Sequence, residues 1–213
     1  MHKWLYIIIA AAIFIFFGIA VYQQAIDTQS SDTLGAENQR VAYSPELERV
    51  LENKMVLLSK LLQEPEVIQY ILKVNSQYSE IEAEKLFAID KYWDSIEDSD
   101  PLLQLYSTNK VAYRLKQLQS REPGFSEIFV TDRHGFNVAQ TNKTSDIYQA
   151  DEEWWQQAFN DGEGKSYAGL IEFDESSLTT GISVYVPVKD PVTGEVIGIA
   201  KGVVSIEDIK SEL

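Results

Sequence analysis

The sequence predicts an α+β fold in which a helical N-terminal half leads into a five-stranded antiparallel sheet interrupted by one helix. Three observations predict it. Apolar residues recur at helical spacing across residues 44–122, and they alternate with period two between turn signals across 123–208. Ahead of both, residues 4–22 form one charge-free apolar run.

That run is nineteen residues long. At ~1.5 Å per residue it gives roughly 28 Å of helix, close to the ~30 Å hydrocarbon core of a bilayer. His2 and Lys3 precede it and Asp27, Asp32 and Glu37 follow, so the charge bias sets the N-terminus in the cytoplasm and the remainder outside. Gly18-Ile-Ala20 offers the small residues of a cleavable signal peptide, but the apolar run exceeds the ~7–15 residues such signals use. The expectation is residues 1–22 as an uncleaved single-pass inner-membrane anchor, 23–43 as a polar stalk, and 44–213 as a domain on the periplasmic or extracellular side.

Ser44-Pro45-Glu46 starts a helix with a capping hydroxyl, a proline at the first helical position and an acid in the first turn. Leu47, Leu51, Met55, Leu58 and Leu62 then mark one face, and Val50, Leu57 and Leu61 widen it. A stripe this broad suits either burial in its own domain or a homodimer seam. Glu64-Pro65 ends the helix. A second helix follows with Val67, Ile68, Ile71 and Leu72, and a third over 80–96 with Ile81, Leu86, Phe87, Ile89 and Trp93. A last helix is predicted over 102–118, before the turn at Glu122-Pro-Gly124.

In the second half, Phe125–Thr131 reads as a strand closed by Asp132-Arg-His-Gly135, where glycine supplies a positive φ. Residues 136–141 form the hairpin's return arm. Residues 151–159 are helical, with Asp151, Glu152 and Glu153 at the positive end of the helix dipole. Residues 166–174, 181–188 and 195–205 form a meander whose last turn is Asp190-Pro-Val-Thr-Gly194, and residues 206–213 turn helical.

Composition excludes several functions. A net charge of −15, or −16 once the single positive charge of cytoplasmic Lys3 is removed, opposes nucleic-acid binding. With no cysteine there is no disulfide, thiolate nucleophile or Cys-ligated zinc. His134 is the one exported imidazole, in a tight turn without a partner serine or metal cluster in view, so no enzyme and no cofactor are expected. The acids Asp94, Glu97, Asp98 and Asp100 lack the spacing of a calcium loop and read as a solvated helix end.

Several segments in order resemble the Cache family, the extracytoplasmic PAS-like (PDC) sensor domains. Ile128-Phe-Val-Thr-Asp132 with Gly135 and Asn137-Val-Ala-Gln-Thr141 looks like that family's opening hairpin, and Asp151-Glu-Glu-Trp-Trp155 with Ala158 like its pocket helix. Tyr167, Gly169 and Phe173-Asp-Glu175 resemble its third strand, and Pro187-Val188 with Thr193-Gly-Glu-Val-Ile-Gly198 its closing hairpin. The likeness covers roughly residues 123–208 and implies a single PAS-like sheet that binds a small ligand beside the helix. Amino-acid-binding members carry an Arg two residues before the helix Trp and an Asp in the last strand. Here Glu152 and Ala200 stand there, which removes the paired charges that fix a zwitterion.

The residues that would line such a cup are Tyr148, Asp151, Trp154, Trp155, Tyr167, Asp174, Tyr185 and Lys201. Trp154 and Trp155 offer apolar walls, an N–H donor and a π face for a cation, and point about 100° apart. Tyr167 and Phe173 are expected to share one strand face, as are Tyr185 and Ser183. Lys201 lies between Ile199 and Val203 on an apolar face and either snorkels or meets an anion. The expected function is extracytoplasmic sensing of a small amine or carboxylate. The output passes to a partner kinase or chemoreceptor, whether the chain is the sensor portion of a longer receptor or a stand-alone anchored binder. The alternative is an anchored scaffold that dimerises through the 44–62 helix.

Overall fold

The computed structural model describes residues 43–213 except 79–82, 94 and 98. The apolar run 4–22 and nearly all of the stalk lie outside the described residues. Among the described residues no helix is long and apolar enough to cross a membrane.

Six helices are described: α1 (Pro45–Leu62), α2 (Pro65–Tyr78), α3 (Ala83–Trp93), α4 (Pro101–Ser107), α5 (Lys110–Arg121) and, within the sheet region, α6 (Glu153–Phe159). The strands are β1 (Phe125–Thr131), β2 (Asn137–Gln140), β3 (Tyr167–Asp174), β4 (Thr179–Lys189) and β5 (Val196–Ser205). They form one antiparallel sheet in the order β2-β1-β5-β4-β3. Residues Asp208–Glu212 make a 3₁₀ turn.

Ser44 caps α1 by accepting the Leu47 N–H at 3.3 Å. Val50, Leu51, Leu58, Leu61 and Leu62 are buried against the sheet, so most of the broad stripe is taken up by the domain's own core. Lys54 sits among them almost fully buried. Its ammonium lies 3.1 Å from Glu122 at the end of α5 and 3.0 Å from Glu212 in the closing 3₁₀ turn. At the α1–α2 break the Arg114 guanidinium of α5 grips the Glu64 carboxylate.

The single helix expected over 102–118 is two helices. Asn109 causes the break: its carbonyl oxygen accepts from Val111 and Ala112 N–H at 3.0 and 2.9 Å, starting α5. Its amide donates back to Leu105 O at 2.8 Å and across to Val138 O in β2 at 2.9 Å. The third helix does not reach the expected residue 96, since Ser95 and Ile96 are non-helical, and Ile81 lies outside the described residues. Trp93 at its end is fully buried and donates its indole N–H to Thr144 O at 2.8 Å. Asp100 caps α4 through one oxygen, at 2.8 Å from Leu102 N, and accepts the Tyr92 hydroxyl on the other.

The two sheet faces differ. Ile128, Val130, Ile182, Val184, Val186, Val188, Ala200 and Val204 pack into the apolar core with α1, α2 and α5. The opposite face carries a row that runs across the sheet in register: Gln140, Phe129, Lys201, Tyr185 and Tyr167. Helix α6 covers part of this face and leaves the rest as a cup.

Candidate functional site

The cup is built from that row outward. Trp154, half-buried at the start of α6, stacks on Tyr185 at 5.1 Å between ring centroids and 14° between planes, and meets Phe129 edge-on at 5.9 Å. Tyr167 leans on Tyr185 at 4.6 Å and donates its hydroxyl to Trp154 O at 2.9 Å, which ties β3 to α6. Burial raises the phenol pKa of both tyrosines, so they stay neutral donors.

A cavity of about 490 Å³ opens above these rings. Its wall carries seven carboxylates, from Glu127, Asp146, Glu152, Glu153, Glu172, Asp174 and Glu175, against the single ammonium of Lys201. That ammonium is already engaged, 3.1 Å from Asp174 and 5.8 Å from the ring centroids of both Phe129 and Trp154. Burial opposes ionisation of Asp174. The Lys201 charge and hydrogen bonds from Ser177 and Ser176 outweigh it and hold the carboxyl below its ordinary 3.8. Glu127 goes the other way: burial, with the Asp174 charge beside it, pushes it up to about 7. Asp146 also rises to about 7, through burial and the nearby charges of Asp90, Glu152 and Asp151.

Of the eight residues singled out from sequence, the structure brings Trp154, Tyr167, Asp174, Tyr185 and Lys201 together in this wall. The other three lie outside it. Trp155 turns away from Trp154 by the helical step, stacks on Phe159 at 4.8 Å and donates its indole N–H to Thr131 Oγ1 at 2.9 Å, inside the core under α6. Tyr148 packs on Phe136 and Phe87. Asp151 is exposed just before α6.

Two strand expectations are corrected. Tyr167 and Phe173 do not share a face: the register shifts between Ala168 and Ile171, so Tyr167 pairs with Tyr185 and Phe173 with Thr180, of opposite parity on β4. Ala200 is buried in the helix-covered core, opposite Val130 and Val186, so Lys201 and not Ala200 is the β5 residue facing the cup.

Sequence reading passed over Glu127 and Phe129. The signal was present, since Glu127, Phe129 and Thr131 alternate onto one face of β1, a lone acid beside an aromatic as Lys201 is a lone base on β5. Asp146, Glu172 and Ser176 come from loops or a bulged edge strand, where no period marks a face.

His134 is exposed in the β1–β2 turn. There its N–H and that of Phe136 bond to Asp132 Oδ1 at 2.9 Å each, and Gly135 takes φ +90°. His134 is not among the residues that line the cavity. Among the described residues no group of three or more metal-ligating side chains is gathered.

No protein family matches the chain by sequence and no curated protein does. Solved structures do. The isoleucine-bound sensory domain of the Campylobacter jejuni chemoreceptor Tlp3 is similar at 15% identity, over 78% of this chain and 64% of that one, with a TM-score of 0.40. The E. coli DcuS sensor domain is similar at 17% identity, over 61% of this chain and 92% of that one, at 0.39. The ligand-binding domain of the Pseudomonas fluorescens chemoreceptor CtaA with L-leucine is similar at 16% identity, over 78% and 62%, at 0.38. The chain thus spans less than two thirds of the Tlp3 and CtaA domains it matches.

Proposed function

We propose that this chain is a membrane-anchored extracytoplasmic sensor whose cup binds a small organic cation. The observation that carries the reading is the cavity wall: seven carboxylates and one already paired lysine above a floor of stacked aromatic rings. An aromatic floor attracts a cation through its π face, and a concave wall of one sign focuses the field on it. A free carboxylate ligand would enter against that field, with only Lys201 to receive it and Asp174 to displace first.

Signal output would pass from the domain to a partner kinase or chemoreceptor, with the 4–22 run as the tether that leaves the domain in the periplasm. The tether is tested by cell fractionation with protease access, and a chain recovered in the soluble fraction rules it out. Ligand binding is tested by thermal denaturation of the purified chain with simple amines, quaternary ammonium ions and carboxylates. The reading expects the cations to raise the Tm and the carboxylates to leave it unchanged. A panel in which nothing shifts the Tm sinks small-ligand sensing, and one in which only carboxylates do sinks the cation reading.

A further inference from the structure

We propose that Glu127 is the ammonium acceptor of the cup, the group on which the N–H-bearing head of a small amine docks. The proposal rests on the cation reading above and narrows it from any cation to one that donates hydrogen bonds.

Glu127 lies mid-strand in β1, fully buried, on the cavity wall. One carboxyl oxygen lies 3.0 Å from the Ser176 hydroxyl, whose single proton it shares with Asp174 Oδ1 at 2.9 Å. The other, Oε2, has no hydrogen-bond partner among the described residues. Two further buried oxygens share that condition, Asp132 Oδ2 in the β1–β2 turn and Asn137 Oδ1 in β2, but neither residue lines the cavity. A buried carboxylate oxygen left unpaired is costly, and the cost disappears when a donor arrives.

Among the described residues, no group of the protein supplies that donor. Lys201 is the wall's single cation and its ammonium bonds to Asp174. Across the sheet, Glu127 pairs with Val203, which has no polar side chain. Burial and the Asp174 charge raise the carboxyl to about 7, so near neutrality it exchanges a proton readily. A ligand ammonium replaces that proton. It brings a full positive charge and up to three N–H donors, and its carbon skeleton is left against Phe129 and Trp154. A quaternary ammonium has charge but no N–H and cannot make this bond.

The test is calorimetric titration of the full chain at pH 7.5 with n-butylamine, tetramethylammonium and butanoate, on wild type and Glu127→Gln. Gln keeps the shape and an oxygen for Ser176 while removing the charge. Charge-assisted hydrogen bonds contribute about 1.5–3 kcal/mol, so butylamine should lose about tenfold or more in affinity in the variant. On wild type, tetramethylammonium should bind about tenfold or more weakly than butylamine. That comparison holds even if the variant does not fold.

Equal affinity of butylamine for both proteins, or equal affinity of wild type for the two cations, overturns the role of Glu127 and leaves the cation reading standing. Binding of butanoate alone overturns both. No binding by any of the three overturns the proposal together with small-ligand sensing at this site.

Discussion

The two faces of the sheet are made from the same strands and obey opposite rules. On the helix-covered face, the buried strand residues are Ile, Val and Ala with Phe125, and the one charge of the described residues sunk among the helices, Lys54, has two carboxylates of its own. On the cup face, aromatic rings stand beside acids, and one buried carboxylate oxygen lacks a partner among the described residues. A face that closes on itself is optimised for burial. A face that keeps an unpaired charge under a cavity gives up stability there, as binding sites commonly do.

The largest expected effect breaks the closed face. Leu58 is fully buried in α1, and Leu58→Ala should cost about 2–5 kcal/mol, read by chemical denaturation. A loss under about 1 kcal/mol would mean that α1 is not seated as described.

Next is the pH dependence of the cup face. The Glu127 pKa is about 7 in the folded protein against an ordinary 4.5. Between those values the folded state holds a proton that the unfolded chain has released. Its stabilising contribution is therefore full below about 4.5 and is lost as pH rises through about 7. At ~1.4 kcal/mol per pH unit this amounts to about 3 kcal/mol. Asp146 and Asp132, raised to about 7 and about 6, act in the same direction. Ligand-free protein should thus lose stability between pH 4.5 and 7.5, and Glu127→Gln should flatten part of that slope and exceed wild type at pH 8. A variant with the wild-type slope would show that the Glu127 carboxyl is not the titrating group.

Two smaller effects sharpen the contrast at its borders. Asn109→Ala removes the α5 cap and the bond to β2, at about 1–2 kcal/mol, with ligand affinity unchanged. Tyr43→Phe removes a 2.6 Å bond from the entrance of α1 to Gly169 O, at the bulged edge of the cup. The expected loss is about 1 kcal/mol by thermal denaturation, since one part-buried hydrogen bond is removed. A larger loss would assign the bulge a greater part in holding β3.

The closed face was the more legible of the two in the sequence. The expected strands match the observed ones to within about two residues, because alternation against a dry core leaves a regular trace. The helix over 102–118 misled because the spacing of its apolar residues continues through Asn109, and only the double use of that side chain interrupts it. On the cup face, alternation identified Lys201 and Tyr185 but failed on β3, where a register shift exchanges the faces between Ala168 and Ile171. It could not rank Trp154 over Trp155, since only the position of Thr131 on the neighbouring strand decides which indole finds an internal acceptor.

Lys54 also has a mechanical meaning. Its two ion pairs, at 3.0 and 3.1 Å, join the first helix of the domain to the end of α5 and to its closing 3₁₀ turn. A slide of α1 by one helical turn is about 5.4 Å, more than either ion pair can stretch. Axial displacement of that helix must therefore carry residues 208–212 with it or part the ammonium from its carboxylates. The domain's entering and leaving segments are geared together through one buried charge.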